Sequence, residues 1–358
     1  MNLHKLFDQF DHEGIFRNTK EIKSGHINTT FLIQTQAQET PDYILQKINS
    51  VVFKNIPELI QNKVLVCNFL RSKTKHPEQE NVIRLMPSMS GDYFFIDEDK
   101  EYWNLMVFIS DSQVFLKAEN TKIALEAGRL FGRFFYLLND FDAEDLSETI
   151  PRFHDMNFRF QQFEAALAAS NTDRLNQAKT EIIFANELKK EMCLLQELKN
   201  TGKFPIRATH NDTKLSNALF DDNDNALSVI DLDTLMPGLV HYDFGDSVRT
   251  MCSSAEEDET NLEKVHFIPD NFMAFTEGFL YSCKSILTQS ELDYLYLAPQ
   301  YMTFIMGLRF LTDYLNNDIY YKINYPEHNL TRAKNQFALL KSIRLQENRM
   351  REIIDLIE

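Results

Sequence analysis

Apolar and polar residues alternate along the first third of the chain and recur at helical spacing along the rest. Leu3, Leu6, Phe7 and Phe10 share one face of a short helix over residues 1–12. Two-residue alternation then predicts strands over 15–22, 29–36 and 42–48, the first two joined by the turn Ser24-Gly25-His26-Ile27-Asn28. Pro57 opens a helical pattern over 56–70. Strands follow over 82–87, 92–97 and 102–109, separated by Ser90-Gly91 and Glu98-Asp99-Lys100. The polar run Ser110-Asp111-Ser112-Gln113 ends this regime and divides a strand-rich lobe, 1–109, from a helical lobe, 110–358. Helices are predicted over 122–138, 153–169, 176–198, 271–287, 289–316 and 335–357. Phe131, Phe134, Phe135 and Tyr136 fall at helix spacing and read as core, as do Met302 and Met306.

A chain of 358 residues with 44% hydrophobic and 25% charged positions is ample for a globular protein of two lobes. The net charge of −16 excludes broad electrostatic binding to nucleic acid or to an anionic membrane. It does not exclude one triphosphate, whose charge a local basic pocket and Mg²⁺ can offset. Cys67, Cys193, Cys252 and Cys283 are scattered, without zinc-ligand spacing, and read as reduced buried thiols. No signal peptide and no run of about 18 apolar residues is present, so a cytoplasmic protein is expected, a monomer or weak homodimer.

One stretch departs from helical spacing. Residues 208–249 contain His210-x-Asp212, then Asn217 five positions after that aspartate, then a short acidic turn and the apolar run Leu227-Ser228-Val229-Ile230 ending at Asp231. Phosphoryl transfer needs a carboxylate to orient and deprotonate the attacking hydroxyl, and oxygen ligands for the Mg²⁺ that bridges the ATP phosphates. Asp212 suits the first duty; Asn217 and Asp231 suit the second. The 14 residues from Asn217 to Asp231 leave room for one β-hairpin, which returns Asp231 to the Asn217 loop. A chance H-x-D-x-x-x-x-N is the competing explanation, and the hairpin with an aspartate at its strand end argues against chance. Asp243-Phe244-Gly245 spells the metal-binding triplet of protein kinases. It lies 26 residues beyond Asn217, past Pro237-Gly238, too far for that return, and the metal is assigned to Asp231 instead. No A-P-E segment follows, which disfavours a protein kinase. The pattern implies a small-molecule kinase using ATP and Mg²⁺.

The remaining roles follow from placement. His210 reads as a structural residue of the loop. Lys214 either offsets charge on the transferring phosphoryl group or is a solvated loop lysine. The turn at Gly25 would lie over the phosphates, and Lys47 on the third strand would meet them, with Glu58 an available partner. Gln46 leaves open which side chain faces inward, because a one-residue shift reverses the face. Main-chain groups around Met106, Val107 and Phe108 would hydrogen-bond adenine. Arg309 lies among Phe304, Ile305, Leu308, Phe310 and Leu311, either as an i,i+4 partner of Asp313 or as a binding group. The acidic segment 251–261 carries no assignable chemistry.

These motifs resemble the aminoglycoside phosphotransferase/choline kinase superfamily, distant relatives of the protein kinases. Thr209-His210-Asn211-Asp212-Thr213-Lys214 and Ile230-Asp231-Leu232-Asp233-Thr234 look like the N-acetylhexosamine 1-kinases. Further matches occur at Ser24-Gly25-His26-Ile27-Asn28, Leu45-Gln46-Lys47-Ile48-Asn49, Arg309-Phe310-Leu311-Thr312-Asp313-Tyr314-Leu315 and His328-Asn329-Leu330, so the resemblance covers most of the chain in order. It implies an α+β, protein-kinase-like two-lobed fold, with a small antiparallel-sheet lobe, a large helical lobe and ATP between them. It implies an N-acetylhexosamine phosphorylated at its anomeric hydroxyl. It also implies sugar contacts from Arg309 and from Tyr320 or Tyr321, with His26 near the sugar or phosphate. Asp233, Asp243 and Asp246 would bind sugar or brace the loop. The alternative acceptors in the same fold are an amino alcohol, another sugar or an aminoglycoside. A non-catalytic pseudokinase is the alternative from another class, disfavoured by the presence of Asp212, Asn217 and Asp231.

Overall fold

The computed structural model describes residues 2–22, 27–75 and 81–357, so the positions proposed at Gly25 and His26 lie outside the described residues. Helix α1 (Leu3–Phe7) precedes strands β1 (Phe16–Ile22), β2 (Thr29–Thr35) and β3 (Tyr43–Ile48). Helix α2 (Ile56–Lys73) follows, with Pro57 in its first turn, where the missing N–H has no helical partner to lose. Then come β4 (Leu85–Met86), β5 (Phe95–Ile96) and β6 (Tyr102–Val107). The strands form one antiparallel sheet in the order β1-β2-β3-β6-β4, with β5 also paired to β6. Successive side chains point to opposite faces. Tyr43, Leu45, Trp103 and Leu105 form the outer face, packed with Leu6, Phe7 and Phe10. Ile48 and Leu85 face the other way, into a core that runs through α2 into the large lobe. That inner face is the one that can meet a ligand held between the lobes.

The large lobe begins with α3 (Thr121–Leu137), α4 (Met156–Ala169), α5 (Thr172–Gln177), α6 (Lys179–Met192) and α7 (Leu194–Asn200). Four short strands carry the motif region: β7 (Arg207–Thr209), β8 (Ala218–Phe220), β9 (Ala226–Val229) and β10 (Met236–Gly238). Helices α8 (Val240–Met251), α9 (Pro269–Cys283), α10 (Gln289–Asp293), α11 (Leu297–Leu315), α12 (His328–Leu345) and α13 (Glu347–Ile357) complete it. Helices α3 and α9 touch backbone to backbone: a Cβ at Gly128 would lie 2.2 Å from the Phe275 carbonyl oxygen, and one at Gly278 2.2 Å from that of Leu125. A second core joins α4, α11 and α12. Among the described residues no helix is long and apolar enough to cross a membrane. All four cysteines are free and buried.

The small antiparallel sheet and helical large lobe match the expected fold class, while several helix boundaries differ for identifiable reasons. The single helix predicted over 289–316 is two. Thr288 and Glu291 form a reciprocal cap on α10, and α11 restarts at Leu297 so that Pro299 falls in a first turn. The helix predicted over 153–169 starts instead at Met156, where Asp155 accepts the Phe158 N–H at 2.9 Å. The pattern over 176–198 breaks at Cys193 into α6 and α7. Helix α8 escapes periodicity altogether. Every residue from Val240 to Val248 is buried, charged ones included, so no polar stripe marks it as a surface helix. Phe131, Phe134 and Phe135 are core as expected, whereas Tyr136 is about half exposed (51%).

Candidate active site

Strands β7 and β10 pair antiparallel with Thr209 opposite Met236, and β8 and β9 form the hairpin after Asn217. The two pairings lay the loop 210–217 against the segment 230–235. The Ile230 N–H donates to the Asn217 carbonyl at 2.9 Å, and Thr234 Oγ1 donates to the His210 carbonyl at 2.7 Å. His210 Nε2 donates to the Ile230 carbonyl at 2.9 Å while its Nδ1 accepts the Asp212 N–H at 3.2 Å. One neutral tautomer satisfies both bonds, and burial lowers the imidazole pKa accordingly. His210 therefore ties the two segments together. Asn211 and Asp231 are left-handed, with φ of 64° and 61°, a conformation that Asn and Asp tolerate better than most residues. Gly238 is required by proximity: a Cβ there would sit 2.3 Å from Thr209 Oγ1.

Five carboxylates gather here, and four are already engaged. Asp212 Oδ2 accepts Lys214 Nζ at 2.7 Å and Asn217 Nδ2 at 3.0 Å. Burial by itself would raise the Asp212 pKa, but the Lys214 charge and these hydrogen bonds outweigh it and hold the carboxyl at about 2. Asp233 accepts Lys63 Nζ at 2.7 Å and the Asn28 amide. Asp246 accepts Arg249 Nε at 2.9 Å. Asp243 accepts the backbone N–H of His210 at 2.7 Å and of Asn211 at 2.6 Å, and burial pushes its carboxyl up to about 8. It braces the loop from within α8.

Asp231 is the exception. It is open to the cleft and has no side-chain hydrogen bond or ion pair among the described residues. Withdrawal from bulk water, then the neighbouring Asp233 carboxylate, push it up to about 7. A cation would relieve that repulsion. Asn217 spends its Nδ2 on Asp212, on the carbonyl at 2.7 Å and on Oδ2, which leaves its Oδ1 as a ligand oxygen. Asp231 and Asn217 together could hold Mg²⁺, which takes one or two protein oxygens and completes its shell with phosphate and water. No cage of three or more His, Cys, Asp or Glu forms among the described residues.

Arg309 also lies within electrostatic reach of Asp212. Asp313 does not pair with it: that carboxylate accepts the N–H groups of Tyr320 and Tyr321 at 2.9 Å each and Asn329 Nδ2 at 3.0 Å. The Arg309 guanidinium lies 4.8 Å from the Phe153 ring centre and 5.7 and 5.6 Å from those of Tyr320 and Tyr321. It makes no ion pair among the described residues; Asp212 and Asp246 act on it only through space. Arg159 stands beside it, its Nε donating to the Phe153 carbonyl at 3.0 Å. Phe153 and Arg159 were not anticipated, because periodicity placed Phe153 inside a helix rather than in the turn that precedes it.

Residues 18–273, well over half of the chain, match the APH phosphotransferase enzyme family. The chain belongs to that family. Solved structures agree on the fold. An aminoglycoside phosphotransferase from Alicyclobacillus acidocaldarius superposes with a TM-score of 0.59 at 10% identity, covering 94% of each chain. An amicoumacin kinase in complex with AMP-PNP and Ca²⁺ gives 0.57 at 12% identity, over 99% of this chain and 92% of its own. A microcompartment-associated aminopropanol kinase gives 0.57 at 14% identity, over 98% of both.

In this phosphotransferase the nucleotide-side residues are distributed differently from expectation. Lys47 shares the outer face with Tyr43 and Leu45 and reaches Glu101 at 3.4 Å, with a third of its side chain (34%) exposed. Gln46, one position earlier, takes the inner face opposite Asn104. Glu58 is exposed on α2 and apart from Lys47. The N–H groups of Val107 and Phe108 are donated to the carbonyls of Arg84 and Asp42 at 2.9 and 2.8 Å. Beyond Met106 and Phe108, Ile109 and Ser110 carry the first backbone N–H groups without a partner among the described residues. Lys63 was missed. Its only signal is a lysine on the apolar face of α2, three or four residues from Leu59, Ile60, Val66 and Cys67.

His154 supports the loop from below, with Nε2 2.9 Å from the Asn211 carbonyl, and burial lowers its pKa to about 3. The unfolded chain takes up this proton near pH 6.5, before the folded one does. The resulting stability is complete above that pH and is lost as pH falls from 6.5 towards 3, at about 1.4 kcal/mol per pH unit. His154→Gln is expected to remove a slope of that size from urea-unfolding free energies between pH 6 and 4.5. An unchanged slope would mean that the native imidazole is already charged.

Proposed function

We propose that this phosphotransferase moves the γ-phosphoryl group of ATP to the anomeric hydroxyl of an N-acetylhexosamine. The observation that carries the reading is the contrast between two groups within electrostatic reach of Asp212, each without an ion-pair partner among the described residues: the Asp231 carboxylate, and the Arg309 guanidinium backed by Phe153, Tyr320 and Tyr321. The first suits a metal-bound polyphosphate. The second suits a neutral, oxygen-rich acceptor, whose hydroxyl and acyl oxygens accept from the guanidinium while its C–H face lies against the rings. A polycationic aminoglycoside would meet Arg309 and Arg159 as like charges, and an amino alcohol would meet the same repulsion. The nucleotide and divalent cation held by the amicoumacin kinase support the donor half of the reading.

In this mechanism Asp212 accepts a hydrogen bond from the acceptor hydroxyl and takes its proton late, when most of the bond to the leaving phosphate has broken. A carboxyl held near 2 is a weak base, and a loose transition state asks for little more than orientation. Lys214, already on Asp212 Oδ2, brings positive charge towards the transferring group. Asn217 and Asp231 would hold Mg²⁺, which supplies neutralisation of the phosphate oxygens when bound. Incubation with Mg²⁺·ATP and a panel of free sugars and amino alcohols, followed by ³¹P NMR, tests the reading. A new anomeric phosphate on N-acetylglucosamine or N-acetylgalactosamine is expected. Turnover confined to an amino alcohol or an aminoglycoside would discard the sugar assignment.

A further inference from the structure

Among the described residues, the small-lobe cation that pairs with the metal segment comes from a helix and not from the sheet. Lys63 of α2 is 2% exposed and places Nζ 2.7 Å from Asp233 Oδ1, itself 3% exposed. An ammonium has three N–H donors, and only one is given to an acceptor among the described residues. Burying an ion pair costs several kcal/mol per ion, so it is a poor device if its only purpose is to dock α2. Asn62 already does that docking, with its amide donating to the Ser147 and Leu235 carbonyls at 2.8 Å each. Asp233 also accepts from Asn28, whose Oδ1 accepts the Asn49 N–H at 2.9 Å. The chain entering β2, the chain leaving β3, α2 and the metal segment therefore converge on one carboxylate.

On the inner face, neither β3 nor its neighbour β6 offers a charge in compensation. Among the described residues, Gln46 holds its Oε1 buried without a partner, and Asn104, opposite it in register, has neither end of its amide bonded. A triphosphate between this face and Asp231 would meet no cation from β3. We propose that Lys63 supplies that cation, donating its free N–H bonds to the nucleotide phosphates while Asp233 orients the ammonium. The duty that spacing suggested for Lys47 thus passes to a helix residue sixteen positions later. The proposal rests on the kinase reading above.

Two measurements on the whole chain test it. An acyl-phosphate derivative of ATP transfers its acyl group to an amine beside the phosphates, and peptide mapping is expected to find it on Lys63, suppressed by excess ATP. Acylation confined to Lys47 or Lys214 would overturn the proposal. Calorimetric titration with Mg²⁺·ATP is expected to give a Kd raised about tenfold or more in Lys63→Met/Asp233→Asn, which removes both charges together and strands neither. Lys47→Ala is expected to stay within about twofold of the parent. Equal affinity in the double variant would overturn the proposal alone. A parent protein that binds no nucleotide would overturn the kinase reading and this inference with it.

Discussion

Asp212→Asn is expected to lower kcat about a thousandfold, within the range by which a positioned general base accelerates a reaction. Its Mg²⁺·ATP affinity should change by about twofold or less, because the metal and phosphate contacts assigned to Asn217, Asp231 and Lys63 remain. The substitution keeps shape but replaces an acceptor with a donor beside Lys214 Nζ, 2.7 Å away, and Asn217 Nδ2, 3.0 Å away. The amide will turn its oxygen to those donors and its NH₂ to the acceptor hydroxyl, where it can accept no proton. Steady-state rates of ATP consumption, with a parallel nucleotide titration, measure both quantities. Retention of more than about a tenth of the parent kcat would remove Asp212 from the role of base.

The second large effect separates the two aspartates that could be mistaken for one another. Asp243→Ala strips two buried N–H groups of their only acceptor, at 2.7 and 2.6 Å, and should cost about 2–4 kcal/mol of stability. Loss of that brace should also lower kcat, since His210 and Asn211 lead directly into Asp212. The Mg²⁺ concentration for half-maximal rate should stay as it was. Asp231→Asn should do the reverse: little change in Tm, because no protein partner is lost, and a Mg²⁺ requirement raised about tenfold or more. Metal titrations of rate and thermal melts on the two variants decide the matter. A raised Mg²⁺ requirement in Asp243→Ala with none in Asp231→Asn would move the metal to α8.

The local parts of this architecture are legible in the chain because they depend on neighbours. The run His210 to Asp231 closes through one hairpin, so its order and spacing already constrain where three side chains meet. The alternation of β1 to β3 and β6 and the apolar spacing of α2, α3, α9 and α11 report burial of one face, which is enough to anticipate a small sheet and a helical lobe. Breaks within helices were less visible. Pro299 begins α11 rather than interrupting a longer helix, and Asp155 caps α4 two residues after Phe153. In both places the same residue types are compatible with continuation until packing chooses the start.

What only the tertiary structure decided lies in the long-range contacts. Alternation alone cannot say whether Gln46 or Lys47 faces the cleft, because both faces of β3 carry apolar residues; α1 packing over Tyr43 and Leu45 settles it by claiming the outer face. Lys63 and Asp233 are 170 residues apart, and Asn28 and Asp233 are 205 apart. No local pattern marks such pairs, since each side chain is satisfied only after the lobes have met. The same holds for Arg309, whose i,i+4 aspartate was the nearer partner along the helix but had already been taken by the Tyr320 and Tyr321 N–H groups. Spacing along the chain determined that Asp212, Asn217 and Asp231 are brought to one place through a single hairpin. Contacts across the chain decided which cations face it, because charge in a buried cleft is allotted by distance in space and not by distance in sequence.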